Sequence, residues 1–286
     1  MTQSVTLEAR AKLNLFLRVL AEEKSGFHSI ETLFCRIALA DQVTVERRDG
    51  GGVTLSVAGP DLGPPEENLA VRAANAVLQA TGNRFGVHVS LAKRVPVRAG
   101  LGGGSADAAA VLDAVNQLAG NAIPRHELYH FAARLGADVP FCLSGASLAL
   151  GWGHGERLIR LAPLPSMPVL LLVPPAPVST AEAYRWVDQS RASAGPRGAL
   201  ALDLEAVSRW SDVARMAGND FESVVFGRVP ELRAAFEALA RTNPVLCRMS
   251  GSGSALFGVF PSSRQREDAG LMLGKKHGVM IETETI

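Results

Sequence analysis

The run PVRAGLGGGSADAAA, residues 96–110, constrains this chain more than any other stretch. Gly100, Gly102, Gly103 and Gly104 fall close together, and an alanine-rich segment follows at once. Ordering glycine carries a large conformational-entropy penalty, so a glycine cluster ahead of a good helix former needs a reason. Upstream, Val87, Val89 and Leu91 alternate as a strand does. Downstream, Val111, Leu112, Val115 and Leu118 share one helical stripe, which predicts a helix over 105–118. In a glycine turn between a strand and a helix, successive backbone N–H groups form an anion-binding concavity, and the helix N-terminus adds its dipole. Gly102 to Ser105, running into Ala106, has both features, so the segment is expected to cradle a phosphate. It is not a P-loop, since no Lys-Ser/Thr pair follows, and it is not a dinucleotide fingerprint, since the sixth place counted from Gly100 is Ser105. A protein-kinase glycine loop would need a strand after it.

The remaining composition narrows the class. The chain has 286 residues, 47% hydrophobic and 20% charged, with a net charge of +1, so nothing favours a nucleic-acid partner. Cys35, Cys142 and Cys247 are scattered and form no CxxC pair, which fits a reducing compartment. The first ten residues hold no apolar signal core, and the apolar stretch 167–178 is short and interrupted by proline. The expectation is a soluble cytoplasmic protein with neither membrane nor nucleic acid among its partners.

Along the chain, residues 5–19 alternate strictly between apolar and polar, which predicts a half-buried strand with Lys12 and Asn14 on its polar face. Residues 43–46 and 53–57 alternate around a glycine turn and suggest a hairpin. Helices are expected at 68–79, stopped by Gly82, and from Pro124 to Gly136 as a left-handed stop. A tight connection at 137–140 and a strand over 141–150 should follow. Past a composition shift near 163–168 come a buried strand (169–173), a loose linker (190–199) and helices around 203–216 and 230–241. Strands at 245–249 and 255–260 flank SGSGS, and a helix over 263–276 and a last strand close the chain. The element order points to an α+β fold with a second α+β unit, divided as 1–162 and 163–286.

Three ordered motifs carry a resemblance. PVRAGLGGGSADAAA resembles the glycine loop of the GHMP kinases, AKLNLFL (11–17) their N-terminal motif, and SGSGSALFGVF (250–260) their C-terminal glycine motif. GFHSIETLF (26–34), ENLAVRAA (67–74), LGADVPFCL (135–143) and NDFE (219–222) narrow it to the branch that phosphorylates a cytidylyl-bearing alcohol. The resemblance implies a two-domain fold, an N-terminal ribosomal-protein-like half and a C-terminal ferredoxin-like half, with ATP and substrate in the cleft between. Residue by residue, it implies Asp138 of GADVP as catalytic base and Lys12 of AKLNL as its catalytic partner. On residues alone, Asp138 reads first as a solvated turn former and Lys12 as a solvent-exposed lysine, and the resemblance reverses both readings. Pro96, Val97, Arg98, Ala99, Gly100, Leu101, Gly102, Gly103, Gly104, Ser105 and Ala106 would hold ATP, with Asn68 and Lys93 on the adenosine side. Asn14, Phe27, His28, Thr180, Tyr184, Gly251, Ser252 and Gly253 would take the small-molecule cytidylyl substrate. Phe27 stands where the family has tyrosine; it and Tyr184 can stack on a base or serve as packing residues. Mg²⁺ would arrive with the nucleotide, Ser105 being a candidate ligand. Arg98 replaces a small family residue and can reach a phosphate or point to solvent. A monomer or weak homodimer is expected. Another small-molecule kinase of the family, a non-enzymatic nucleotide-binding protein on the same fold, and an RNA-binding module are the competing readings, the last opposed by the near-neutral charge.

Overall fold

The computed structural model describes residues 3–23, 26, 28–191 and 205–286. The chain begins with β1 (Ser4–Glu22), β2 (His28–Arg48) and β3 (Val53–Ala58). There follow α1 (Leu69–Ala80), β4 (Gly86–Ala92), α2 (Gly103–Leu118), α3 (Arg125–Leu135), α4 (Val139–Ser144), β5 (Leu148–Gly153) and β6 (Arg157–Leu161). The long strand β2 organises this half. It pairs along one edge with β1, placing Lys12 opposite Arg36 and Asn14 opposite Phe34. Its other edge takes β5 at residues 30–35 and β4 at residues 42–48. The sheet order is β3-β4-β2-β5-β6.

The second half contains β7 (Pro168–Val173), α5 (Thr180–Arg191), α6 (Trp210–Met216), α7 (Asp220–Arg228), α8 (Pro230–Ala240), β8 (Leu246–Met249), β9 (Leu256–Val259), α9 (Ser263–Leu273) and β10 (Val279–Glu284). Its four strands are antiparallel in the order β10-β7-β9-β8, the split β-α-β topology of a ferredoxin-like sheet. The halves share a core. Leu13, Leu15 and Ile37 of the first sheet pack in one cluster with Val169, Leu171 and Phe257 of the second.

Several expectations change. The hairpin at 43–57 is not formed: β4 lies between β2 and β3, and β3 runs parallel to β4 after a crossover through α1. Alternation marks a strand but not its partner, and β4 takes the central, buried position while β3 is left half-exposed at the edge. The expected strand 141–150 is the helix α4 followed by β5, because Pro140 stands in a helix's first turn, where its missing N–H does no harm. Gly136 is extended (φ 172°, ψ 157°) rather than left-handed. Helix α2 starts at Gly103, earlier than expected, with Gly102 left-handed before it. Helices α5 and α7 lie where no helix was expected, and α6 is shorter than the helix expected over 203–216. Most of the expected linker, residues 192–199, lies outside the described residues. Strand β1 is buried on both sides in its middle: Lys12 is 3% and Asn14 1% exposed. The second sheet covers one face, and α2 and α4 cover the other.

The two glycine loops meet directly. Ser250 Oγ donates to the Gly100 carbonyl (2.9 Å), and the Ala255 N–H donates to the Ala99 carbonyl (3.0 Å). Gly100 has φ +78°, and a Cβ there would lie 2.1 Å from the Ser250 carbonyl oxygen. Gly100→Ala is therefore expected to destabilise the protein by about 2–4 kcal/mol in urea unfolding. Gly104→Ala, where a Cβ meets nothing, is expected to stay within about 1 kcal/mol of the parent.

Candidate active site

The glycine loop closes onto the start of α2. Arg98, Gly100 and Gly102 all take left-handed backbone conformations, with φ of 56°, 78° and 70°. The first helical bond runs from the Ala106 N–H to the Gly102 carbonyl (2.9 Å), so the amides of Gly103, Gly104 and Ser105 precede the helical ladder. The loop walls a cavity of about 370 Å³ together with Asn68, Lys93 and Asp107. The Ser105 hydroxyl lines this cavity and makes no hydrogen bond among the described residues. Arg98 also lines it, exposed and without an ion pair among the described residues. Asn68 caps α1: its Oδ1 accepts the Ala70 N–H at 2.9 Å.

Lys93 is committed within the protein. Its ammonium contacts Asp41 and, at 2.6 Å, Asp107, and all three side chains are buried. Asp41 also accepts the N–H groups of Arg94 (2.5 Å) and Val95 (2.8 Å), which fixes the entry to the loop. One ammonium thus serves two carboxylates. Burial pushes the Asp107 carboxyl up to about 7; the Lys93 ammonium opposes that rise and the Asp41 carboxylate adds to it. Asp107 Oδ1 is buried without a partner.

Lys12 and Asp138, far apart in sequence, come together. Lys12 Nζ lies 3.3 Å from Asp138 Oδ2 and donates to Asn14 Oδ1 at 2.6 Å. A Cβ on Gly102 would sit 2.9 Å from Lys12 Cγ, so the lysine stem runs beneath the glycine loop. Asp138 precedes α4 without capping it, which leaves its carboxylate available. The far end of that helix is gripped by Arg36, which donates to the carbonyls of Phe141 (3.2 Å), Cys142 (3.0 Å) and Ala146 (3.0 Å). Arg36 was not singled out in the sequence; its signal is only its place opposite Lys12 on β2.

On the second half's side, His28 stacks on Tyr184, with ring centroids 4.8 Å apart, and His28 Nε2 meets Asp188 Oδ1 at 2.7 Å. Tyr184 meets Phe221 edge-on. Burial, reinforced by the Asp138 charge, pushes the Tyr184 hydroxyl up to about 12, which places this ring within the field of Asp138. Thr180 and Ser252 share a hydrogen bond (2.9 Å), and the Gly251 N–H donates to Asn14 Oδ1 (3.0 Å). Gly253 lies in the same turn, its backbone left-handed at φ 97°. Phe27 lies outside the described residues. The three cysteines are free thiols, each pushed up to about 12 by burial, and so stay neutral. Among the described residues no cluster of His, Cys, Asp and Glu could hold a metal by itself, and no helix is long and apolar enough to cross a membrane.

Known proteins resemble this chain in sequence and fold. The family described as GHMP kinases N terminal domain matches residues 68–146, and that described as GHMP kinases C terminal matches residues 200–279. A 4-diphosphocytidyl-2-C-methyl-D-erythritol kinase of Moorella thermoacetica is 40% identical over 289 residues, covering 99% of both chains. The enzyme of that name from Pelotomaculum thermopropionicum is 40% identical over 89% of this chain and 88% of its own. A crystal structure of 4-(cytidine 5'-diphospho)-2C-methyl-D-erythritol kinase superimposes with a TM-score of 0.81 at 37% identity, covering 98% of this chain and 99% of the other. A homoserine kinase from Cytophaga hutchinsonii, at 20% identity and TM-score 0.71, shares the fold over 100% of this chain and 95% of its own.

The buried carboxyls set a pH dependence. Asp107 is raised to about 7 and Glu222, chiefly by burial, to about 6. Unfolded carboxyls release their protons near pH ~4. In between, the folded chain holds protons that the unfolded chain has lost, so these groups make stability fall as pH rises. Between pH 6 and 7 the Asp107 contribution remains. In urea unfolding across that window, Asp107→Asn is expected to show a flatter loss of stability than the parent.

Proposed function

The chain belongs to the GHMP kinase family, and on that premise we propose that it phosphorylates the 2-hydroxyl of 4-diphosphocytidyl-2-C-methyl-D-erythritol with ATP, giving the 2-phosphate and ADP in the non-mevalonate route to isopentenyl diphosphate. The observation that carries this reading is the Lys12–Asp138 pair, 3.3 Å apart beneath the glycine loop, in a chain about 40% identical to kinases of that name. The N-terminal half, residues 1–162, holds the nucleotide, and residues 163–286 supply the other wall of the cleft.

The residues divide the work. The amides of Gly103, Gly104 and Ser105, at the positive end of α2, bind the nucleotide phosphates. When bound, ATP with Mg²⁺ supplies the phosphoryl group and neutralises its charge. Ser105, whose hydroxyl is uncommitted among the described residues, fits as the metal's protein ligand. Lys93 supports the loop from below with its buried side chain engaged by Asp41 and Asp107, and only its backbone is left to face the adenosine. The cytidylyl group lies along Tyr184 and His28, with Phe27 as a second stacking ring and the Thr180–Ser252 pair at its edge. Asp138 Oδ2 accepts the proton of the attacking hydroxyl. An alcohol is a weak acid, and Lys12 Nζ corrects the mismatch by holding negative charge as it develops on the oxygen. Asn14 keeps that ammonium aimed at Asp138. The enzyme works in the cytoplasm, as a monomer or weak homodimer.

A coupled ADP-release assay tests this. Turnover is expected with the cytidylyl alcohol and not with homoserine. Asp138→Asn and Lys12→Ala are each expected to lower kcat by about 10²–10⁴-fold with KM for ATP little changed. Tyr184→Ala is expected to act mainly on KM for the cytidylyl alcohol, raising it about 10-fold or more. Absence of turnover, or an unimpaired Asp138→Asn, would overturn the reading.

A further inference from the structure

The motif NDFE has no part in the chemistry above, yet all four of its residues are engaged near the cleft. Phe221 backs Tyr184. Asp220 Oδ2 accepts the Val19 N–H of β1 (2.6 Å), and Glu222 Oε1 accepts the Met249 N–H (2.8 Å). Asn219 does the most. Its Oδ1 accepts the Phe221 N–H at 3.0 Å and so caps α7. That fixes the amide the other way round, with Nδ2 donating to two carbonyls, Met249 at 2.7 Å and Gly251 at 2.8 Å. Only an NH₂ group satisfies both acceptors, and the site is buried.

Gly251 passes this constraint onward, because its carbonyl and its N–H, on the two peptides that flank its Cα, are both held. Gly251 is left-handed at φ +58°, and its own N–H donates to Asn14 Oδ1, the same oxygen that accepts Lys12 Nζ. Asn14 cannot turn to compensate, because its Nδ2 is held by Thr32 Oγ1 (2.7 Å), which in turn donates to the Phe16 carbonyl (2.7 Å). A path therefore runs from Asn219 to Gly251 by hydrogen bond, across the Gly251 backbone, and by hydrogen bonds through Asn14 to the ammonium beside Asp138. We infer that Asn219 is a positioning residue for phosphoryl transfer, setting the aim of Lys12 through Gly251 and Asn14. The inference rests on the kinase reading of Lys12 and Asp138. It gives the second half of the chain a hold on the chemistry of the first. Displacing a reacting group by on the order of 1 Å can lower a rate by about 10²-fold.

The test is a double-mutant cycle joined to a substrate-free probe. Asn219→Ala is expected to lower kcat for the cytidylyl alcohol by about 10- to 100-fold while KM for ATP changes less than about 3-fold. In an Asn14→Ala background the same substitution is expected to lower kcat by less than about 3-fold, because the relay is already cut. Thermal melts and ATP-analogue binding of each variant check folding. The chain has five lysines, so the Lys12 Cε resonance of carbon-13 lysine-labelled protein can be followed without substrate, and Asn219→Ala is expected to move it. Asn219→Asp, which sets a carboxylate against two carbonyls, should move it further. Multiplying kcat losses with an unmoved Lys12 resonance would overturn the relay and leave the kinase reading intact. If the parent protein fails to turn over the cytidylyl alcohol, the kinase reading falls. The Lys12 resonance then decides the relay alone: movement in Asn219→Ala sustains it, and no movement overturns it.

Discussion

A lysine ammonium held away from water is the interaction on which the rest of this structure depends. Lys12 sits mid-strand with its side chain 4% exposed, between an amide oxygen and a carboxylate. A buried cation without such partners is strongly disfavoured, so both partners must be delivered with some accuracy. Asn14 comes from the same strand, two residues on, where the pleat returns to the same face. Asp138 comes from the start of a short helix anchored at its far end by Arg36 and Arg125. The geometry of β1, β2 and α4 is thereby tied to a single charge.

A second charge cluster fixes the loop. Lys93, Asp41 and Asp107 join β2, the end of β4 and the second turn of α2, the three segments that bracket the glycines. The loop can then consist almost wholly of backbone, lining the cavity with rigidity supplied from beneath. From the other side, SGSGS presses onto it so closely that Gly100 has no room for a side chain. The cleft is therefore made by two glycine turns in contact, one from each half, each held by its own set of polar groups.

Much of this was legible along the chain. The glycine cluster between an alternating strand and an alanine-rich helix marks a turn against a helix N-terminus, and the structure has that turn at residues 98–103. The strand at 169–173 and the helices at 68–79 and 230–241 lie within a few residues of their observed limits, and the strand expected from 87 to near Pro96 ends at Ala92. The failures share a cause. The hairpin at 43–57, the strand at 141–150 and the solvent-facing side of β1 were inferences about partners and surroundings, which local periodicity does not encode. β4 displaced β3 from β2, Pro140 began a helix, and α2 and α4 covered the face that carries Lys12. Asn219 was visible within a motif, but nothing in four letters says that its amide meets two carbonyls 30 and 32 residues further on.

By itself, the sequence determined the kinds of groups present: a glycine-rich turn ahead of a helix, one lysine and one aspartate in motifs that match a kinase family, and aromatic residues beside them. These follow from residue type and short spacing, which are local properties. The tertiary structure decided which groups meet. It took Lys93, a candidate for the nucleotide, and engaged its charge with two buried carboxylates. It left Arg98 exposed on the cavity wall, and it brought residues 12, 14, 138, 219 and 251 into one path of polar contacts. Burial and long-range pairing set these outcomes, because a charge or an amide in a dry interior must find its complement wherever the chain's packing brings one within reach.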